Sequence, residues 1–281
     1  MGSSCSKPIE GDLIKPLASS PAADGSSAVI LWSIRGRQQF VSRFMELGGF
    51  GLIAKVKFDS DHGDDHGDAL AVINPVELSG RLAQELQTLQ QETKCTVKII
   101  FSAGDWHHAH LGDWSTQFPE AKLYVASDRV VKKQPLLQDA IVVDRLDPVV
   151  PELRQDFDIV PFLGCQQPHW VLGHDKSGSD RVEHVVFHKA TRTLFITDHV
   201  FAPGDAAAPS LASNTAGFPI KDSDKAAESA RNVLALEPKC IVFSHGTEHT
   251  FSLKDDDSNT GDTKTCVNLL EKGYKYHFLK E

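Results

Sequence analysis

The segment Trp106–Trp114, WHHAHLGDW, concentrates side chains that can bind a metal ion. It holds three of the thirteen histidines of the chain and one aspartate. Imidazole and carboxylate groups are the ligands that zinc, iron and manganese accept. His108 and His110 are two residues apart, so in an extended segment both side chains point to the same side. The segment therefore predicts a metal-binding loop after the apolar run Cys95–Phe101, although a solvated loop would also account for His107 and His108.

Three further side chains of the same chemical kind occur at the ends of apolar runs. His174, Asp198 and His245 each follow directly after such a run. Residues that leave the ends of strands are where α/β proteins commonly place their chemistry. Any one of these residues alone is more often structural than a ligand. Together with the histidine-rich segment, they favour a common site.

The order and spacing of these motifs resemble those of the metallo-β-lactamase fold superfamily. The matching segments are HAHLGD at residues 108–113, GHDKSG at 173–178, ITD at 196–198 and SHG at 244–246. The resemblance spans about residues 28 to 250. It implies an α/β fold, an αββα sandwich of two mixed sheets flanked by helices, with the site along one sheet edge.

The resemblance also implies a ligand set and a reaction. The implied metal ligands are His108, His110 and His174 for a first ion, Asp113 and His245 for a second, and Asp198 as a bridge between the two. Zinc, as one or two ions, is the expected metal, with iron or manganese as alternatives. Such ions activate water and polarise a carbonyl group. The expected activity is hydrolysis of a small ester, thioester, lactone or amide, with Asp113 and Asp198 as the catalytic carboxylates.

The chain departs from the superfamily pattern at one position. Where the superfamily has Asp-His after the second histidine, this chain has Gly112-Asp113. Asp113 can replace either the missing aspartate or the missing histidine, and an oxygen-rich second site would favour iron or manganese. His107 is an alternate ligand if the loop register shifts by one residue. The alternatives to a hydrolase are a non-hydrolytic, iron oxygenase-like enzyme and a non-catalytic binding or scaffold protein.

Composition and charge narrow the function classes. The chain has 281 residues, of which 41% are hydrophobic and 24% charged, as in ordinary globular proteins. The formal net charge of −9 argues against a nucleic-acid partner and leaves a small-molecule substrate as the expectation. No apolar run approaches the roughly eighteen residues of a membrane span. The five widely spaced cysteines fit reduced thiols in the cytoplasm.

The N-terminal sequence MGSSCSKP carries a separate signal. It fits the pattern for N-myristoylation, with Gly2 as the acceptor and Ser6 at the required position. Cys5 would be available for palmitoylation, and two acyl chains anchor a protein where one binds reversibly. The motif predicts peripheral membrane association, although a chance match or an expression tag would read the same. Residues 1–27 are predicted as a flexible leader, and residues 28–281 as one metallo-β-lactamase-like domain.

The elements that must position these residues follow from the hydrophobic pattern. The predicted strands are Ala28–Ile34, Phe50–Phe58, Ala69–Ile73, Val97–Ser102, Lys122–Ala126, Ala140–Val143, Phe157–Phe162 and Cys240–Ser244, with others between His169 and Phe201. The predicted helices are Pro75–Glu92, Trp114–Phe118, Ser223–Leu236 and Thr263–Lys272. Gln38–Leu47 is predicted as a short helical or irregular connection. Asp59–Asp68 is predicted as a solvated hairpin tip, because Gly63 and Leu70 exclude an EF-hand.

Overall fold

The computed structural model describes residues 12–21, 27–39, 46–59, 66–168, 178–201, 211–245, 252–254 and 266–279. The strands are β1 (Ile14–Pro21), β2 (Ser27–Gln39), β3 (Glu46–Asp59), β4 (His66–Ile73), β5 (Val97–Ser102), β6 (Lys122–Val125), β7 (Ile141–Val142), β8 (Phe157–Pro161), β9 (His184–His188), β10 (Thr193–Ile196), β11 (Val200–Phe201), β12 (Ala212–Ser213), β13 (Cys240–Phe243) and β14 (Ser252–Lys254). The helices are α1 (Gly80–Thr93), α2 (Leu111–Gln117), α3 (Asp128–Lys133), α4 (Ser223–Leu234) and α5 (Cys266–Lys275).

Two mixed sheets form the centre of the protein. The first has seven strands in the order β1-β2-β3-β4-β5-β6-β7, antiparallel up to β4 and parallel from β4 onward. The second has five strands in the order β14-β13-β10-β9-β8, with a parallel pair at β10 and β13. Helices pack on both outer faces, which confirms the αββα architecture that the resemblance implies.

No helix among the described residues is long and apolar enough to cross a membrane.

Strand periodicity lets each sheet serve two layers of the core. In β9, Val186 packs between the sheets, whereas Val185 and Phe187 point to the layer of α4 and α5. In β10, Phe195 faces the other sheet and Leu194 faces the helices. Alternate residues of a strand point to opposite faces, so short apolar strands such as these fill both layers. The second sheet is therefore buried on both sides.

Helix α1 covers the outer face of the first sheet, much as its leucine pattern predicts. Leu82, Leu86 and Leu89 are buried there with residues of the sheet. The helix begins later than predicted, after Ser79 and not at Pro75. The Ser79 side chain accepts a hydrogen bond from the backbone N–H of Leu82 at 3.2 Å, the usual arrangement of an N-cap. Helix α3 was not predicted, because it buries only one residue and lacks a hydrophobic period.

The structure differs from the predicted leader over part of its length. Ile14–Pro21 pairs with β2 as an antiparallel strand, and the nearby Leu13 is buried. The backbone N–H groups of Leu13 and Ile14 donate to Glu85 Oε2 at 2.7 and 2.9 Å. Cross-strand pairing thus orders a segment whose composition suggests flexibility. The acylation motif with Gly2, Cys5 and Ser6 lies outside the described residues and stays a prediction.

Two further connections in the first sheet join antiparallel neighbours, as the β1–β2 connection does. β2 and β3 pair as far as Gln39 and Glu46, so the two ends of the predicted irregular connection, 38–39 and 46–47, are strand. β3 and β4 pair as far as Asp59 and His66, as the predicted hairpin requires. Asp68 at its base forms ion pairs of 2.6 Å with two lysines of β3. Residues 40–45 and 60–65 lie outside the described ranges.

Candidate metal centre

Three chain segments meet at one edge of the sandwich. β10 and β13 are parallel neighbours, with Ile196 paired to Phe243. Asp198 and His245 each lie two residues beyond these paired positions, so the register brings them side by side. The loop after β5 lies at the same edge, because its first residue, Ala103, accepts a hydrogen bond from the backbone N–H of His184 in β9 at 2.7 Å. This loop carries the histidine-rich segment to the same edge.

His107, Asp198 and His245 converge at this edge. His107 Nε2 lies 3.1 Å from Asp198 Oδ1, and His245 Nε2 lies 3.0 Å from the same oxygen. One ligand atom from each residue lies within 4.8 Å of the others. Nitrogen and oxygen ligands bind zinc at about 2.0–2.2 Å, so ligand atoms at this mutual spacing can share one ion.

The ionisation of Asp198 suits this arrangement. Burial by itself raises the pKa of this carboxyl group, but His107 and His245 outweigh it and hold the pKa well below its ordinary value. The carboxylate is therefore charged at neutral pH. An ionised carboxylate with two imidazole rings beside it is a donor set that divalent zinc, iron and manganese accept.

Arg181 contacts the other oxygen of Asp198. Its Nη2 lies 3.0 Å from Asp198 Oδ2, and both side chains are almost fully buried. The guanidinium carbon lies 3.4 Å from the ring centroid of Trp106 and 3.9 Å from that of Phe218. Cation–π contacts on both faces hold the group in place. The two oxygens of Asp198 thus face different partners, the histidines on one side and a guanidinium on the other.

A buried network supports the backbone at Asp198. Glu183 Oε1 accepts hydrogen bonds from the backbone N–H of Asp198 at 3.1 Å and from Nδ1 of His199 at 2.6 Å. The other ring nitrogen of His199 lies 2.9 Å from the hydroxyl of Tyr274 in α5. Burial alone raises the pKa of Glu183, but His199 keeps it below its ordinary value. The network connects helix α5 to the strand end that carries Asp198.

Asp105 fixes the loop that precedes His107. Its carboxylate accepts hydrogen bonds from Gln167 Nε2 at 2.9 Å, from Val182 N at 3.1 Å and from the hydroxyl of Ser127. Burial raises the pKa of Asp105 against these hydrogen bonds. Asp105 therefore anchors the loop to the segment that precedes β9 and to the start of α3, and His107 in this loop faces Asp198.

The structure brings some of the predicted ligands together and places others elsewhere. It brings Asp198 and His245 together with His107, the alternate ligand of the histidine-rich segment. The adjacent His108 is partly buried elsewhere, where Gln134 Nε2 donates to its Nδ1 at 3.3 Å. Burial, with a contribution from Lys133, lowers the pKa of His108 to about 4. His108 is therefore neutral at ordinary pH.

The remaining predicted ligands do not join this group among the described residues. His110 is buried at the boundary of α2, and Asp113 is exposed in the first turn of that helix. Gly112 is also in α2, where an added Cβ would lie 3.8 Å from Leu136. His174 lies outside the described residues, so its predicted role stays a prediction.

Sequence reasoning missed Arg181, Glu183, His199 and Tyr274. The signal that relates the first two to Asp198 is the register of the β9–β10 hairpin. Phe195 pairs with Val186, and continuing this register places Asp198 opposite Glu183, with Arg181 two residues further on. The sequence shows two apolar strands joined by a tight connection but not which residues pair. Tyr274 approaches only through the packing of α5.

Comparisons with known proteins agree with this architecture. The solved structures similar to the chain include VMB-1, at a TM-score of 0.52 and 12% identity over 92% of this chain and 94% of that chain. The metallo-β-lactamase from Hirschia baltica has a TM-score of 0.50 at 13% identity, over 83% and 92% of the two chains. The metallo-β-lactamase from Erythrobacter litoralis, solved with β-mercaptoethanol in the active site, has 0.50 at 13%, over 85% and 91%. These similarities confirm a metallo-β-lactamase fold.

Sequence comparisons identify the family. A search of curated proteins gave no match. A family profile described as "Domain of unknown function (DUF4336)" matches residues 65–239, more than half of the chain. The chain therefore belongs to the DUF4336 family and has the metallo-β-lactamase fold.

Proposed function

We propose that this protein is a metal-dependent hydrolase of a small ester, thioester, lactone or amide. Its divalent ion would be held by His107, Asp198 and His245. The observation that carries the proposal is the convergence of both Nε2 atoms on Asp198 Oδ1, at 3.1 and 3.0 Å. Zinc fits two nitrogens and one oxygen, and iron or manganese are the alternatives.

The charge balance around the group also suits a cation. Apart from histidines, the buried charged side chains in the described ranges are Asp105, Arg181, Glu183 and Asp198. Three carboxylates thus surround a single guanidinium, and all three interact with it electrostatically. Buried charge without compensation is costly. A divalent ion at Asp198 would add positive charge beside these carboxylates.

The chain's own residues would orient the reaction. When bound, a divalent ion polarises a substrate carbonyl and lowers the pKa of a water ligand toward 7. His107, Asp198 and His245 would supply three ligands, the number that the protein provides in catalytic zinc sites. The His245 side chain is 23% exposed, whereas that of His107 is 2% exposed. Substrate would therefore approach from the side of His245. Arg181 would fix the orientation of Asp198 through its contact with Oδ2.

The experiment measures metal content and hydrolysis on the same preparations. Protein purified without chelator should retain zinc, iron or manganese and hydrolyse members of a panel of chromogenic esters, thioesters, lactones and amides. A chelator should abolish both, and added metal should restore them. His107→Ala should weaken metal binding by at least about 10-fold, because it removes a ligand. The matched variant His108→Ala should leave metal content unchanged.

Two outcomes would contradict the proposal. Fewer than about 0.2 ions per chain after supplementation would exclude a built metal site. Retained iron with oxygen uptake and no hydrolysis would favour the oxygenase-like alternative. Equal loss of metal from His107→Ala and His108→Ala would place the ligand loop in another register.

A further inference from the structure

Arg181 is a permanent positive charge built against the candidate metal ligand Asp198. Arginine stays protonated in proteins, so its charge does not depend on the occupancy of the site. Its Nη2 lies 3.0 Å from Asp198 Oδ2, with side-chain exposures of 1% and 4%. Trp106 and Phe218 cover its two faces. The guanidinium cannot swing away without leaving both aromatic rings and the carboxylate.

Because of this contact, the two carboxylate oxygens of Asp198 have different partners. Oδ1 faces the two histidine nitrogens, whereas Oδ2 faces Arg181. A carboxylate that bridges two metal ions with one oxygen on each needs both oxygens free of other partners. At Asp198 the second oxygen is already paired with a cation. We infer that the centre binds one divalent ion, and that Arg181 occupies the place a second ion would need.

Electrostatics explains why the two cations exclude each other. A second divalent ion on Asp198 Oδ2 would lie within a few ångströms of a buried guanidinium, where water screens their repulsion poorly. Arg181 also interacts electrostatically with Asp105 and Glu183. Glu183 Oε2 has no hydrogen-bond partner within the described part of the protein. Without Arg181, Asp198 Oδ2 would lose its cationic partner and could accept a second ion, for which a carboxylate oxygen is a suitable ligand.

The inference rests on the proposed ion at His107, Asp198 and His245, and metal stoichiometry tests it. Metal-free protein would be titrated with Co²⁺, and bound metal counted by mass spectrometry with visible absorption as a second readout. The wild type should bind one Co²⁺ per chain. Arg181→Ala should bind two, because it removes the competing charge and opens space beside Asp198. Arg181→Lys keeps the charge and should stay at one.

The control is Arg145→Ala, which removes an arginine that pairs with Asp180 at the surface and should leave one ion per chain. Two ions in the wild type would overturn the inference and leave the proposed hydrolase intact. No ion in the wild type would instead contradict the proposed function. One ion in folded Arg181→Ala, checked by circular dichroism, would show that Arg181 does not set the number. If Arg181→Ala does not fold, the wild-type and Arg181→Lys ratios still decide, because two ions in either contradicts the inference.

Discussion

Asp198 connects every part of the candidate centre at the scale of single residues. One oxygen accepts from His107 and His245, the other from Arg181, and its backbone N–H donates to Glu183. These four neighbours, together with Asn214, which donates to the backbone carbonyl of Asp198, surround a residue that is 5% exposed. Removing the charge of Asp198 would leave the Arg181 guanidinium buried without its closest anion. Breaking such a buried pair costs far more than breaking an exposed one.

We expect Asp198→Asn to lower the free energy of unfolding of the metal-free protein by about 3 kcal/mol, since one member of a buried ion pair is lost. Urea denaturation in the presence of a chelator measures this. The control Asp180→Asn breaks exposed pairs with Arg145 and Lys221 and should cost less than about 1 kcal/mol. Similar losses for the two variants would mean that the Arg181 contact contributes little.

At the scale of elements, Asn74 connects the strands that lead to the candidate ligands. It follows β4, is fully buried, and has a φ of 50°. Its Oδ1 accepts from Ala103 N at 2.7 Å, and its Nδ2 lies 3.3 Å from Ser244 Oγ. Ala103 begins the loop to His107, and Ser244 precedes His245. One amide side chain thus joins the two sheets directly behind the candidate ligands.

Asn74→Gly tests this connection without disturbing the left-handed backbone, which glycine adopts freely. We expect it to lower the unfolding free energy by about 2 kcal/mol, because two buried hydrogen bonds are lost. Metal affinity should fall as well, since the two ligand segments lose their common support. Asn74→Ala should cost about 1 kcal/mol more, because its Cβ disfavours a positive φ. Unfolding curves for the three proteins give these values, and equal stability of the wild type and Asn74→Gly would contradict the role of the side chain.

At the scale of the whole molecule, the stability of the fold depends on pH because a histidine is buried between the two sheets. His184 lies at the start of β9 between the sheets and is fully buried. Burial lowers its pKa to about 4 from its ordinary value of 6.5. Between these values the unfolded chain binds a proton that the folded protein does not. Stability from this residue is complete above pH 6.5 and is lost as the pH falls toward 4.

We expect the free energy of unfolding to fall by about 2 kcal/mol as the pH is lowered from 7 to 5, because His184 binds a proton in the unfolded chain and not in the folded protein. Urea unfolding of the metal-free protein at the two pH values measures the loss. His184→Gln removes the titrating group, so its loss over the same interval should be smaller by that amount. Parallel pH profiles for the wild type and the variant would show that His184 titrates normally in the folded protein.

Apolar alternation and motif spacing predicted β5 at its observed bounds and most other strands within a few residues, as local patterns can. They also predicted that Asp198 and His245 leave strand ends, because a polar residue after an apolar run is visible in one dimension. They did not predict β1, whose order comes from pairing with β2 and from Glu85. Pairing partners far apart in the chain leave no local signal.

The order and spacing of the motifs predicted the metallo-β-lactamase fold and a group of imidazole and carboxylate side chains at one sheet edge, because apolar runs and the polar residues that follow them are local features. Which of the neighbouring histidines faces Asp198 depends on contacts between distant residues, since the hydrogen bonds of Asp105 set the orientation of the loop and direct His107 toward Asp198. The contact between Arg181 and Asp198 depends in the same way on the register of the β9–β10 hairpin, which follows from packing on both faces of the second sheet. Sequence thus specifies which ligands are available, and long-range packing selects the ones that meet.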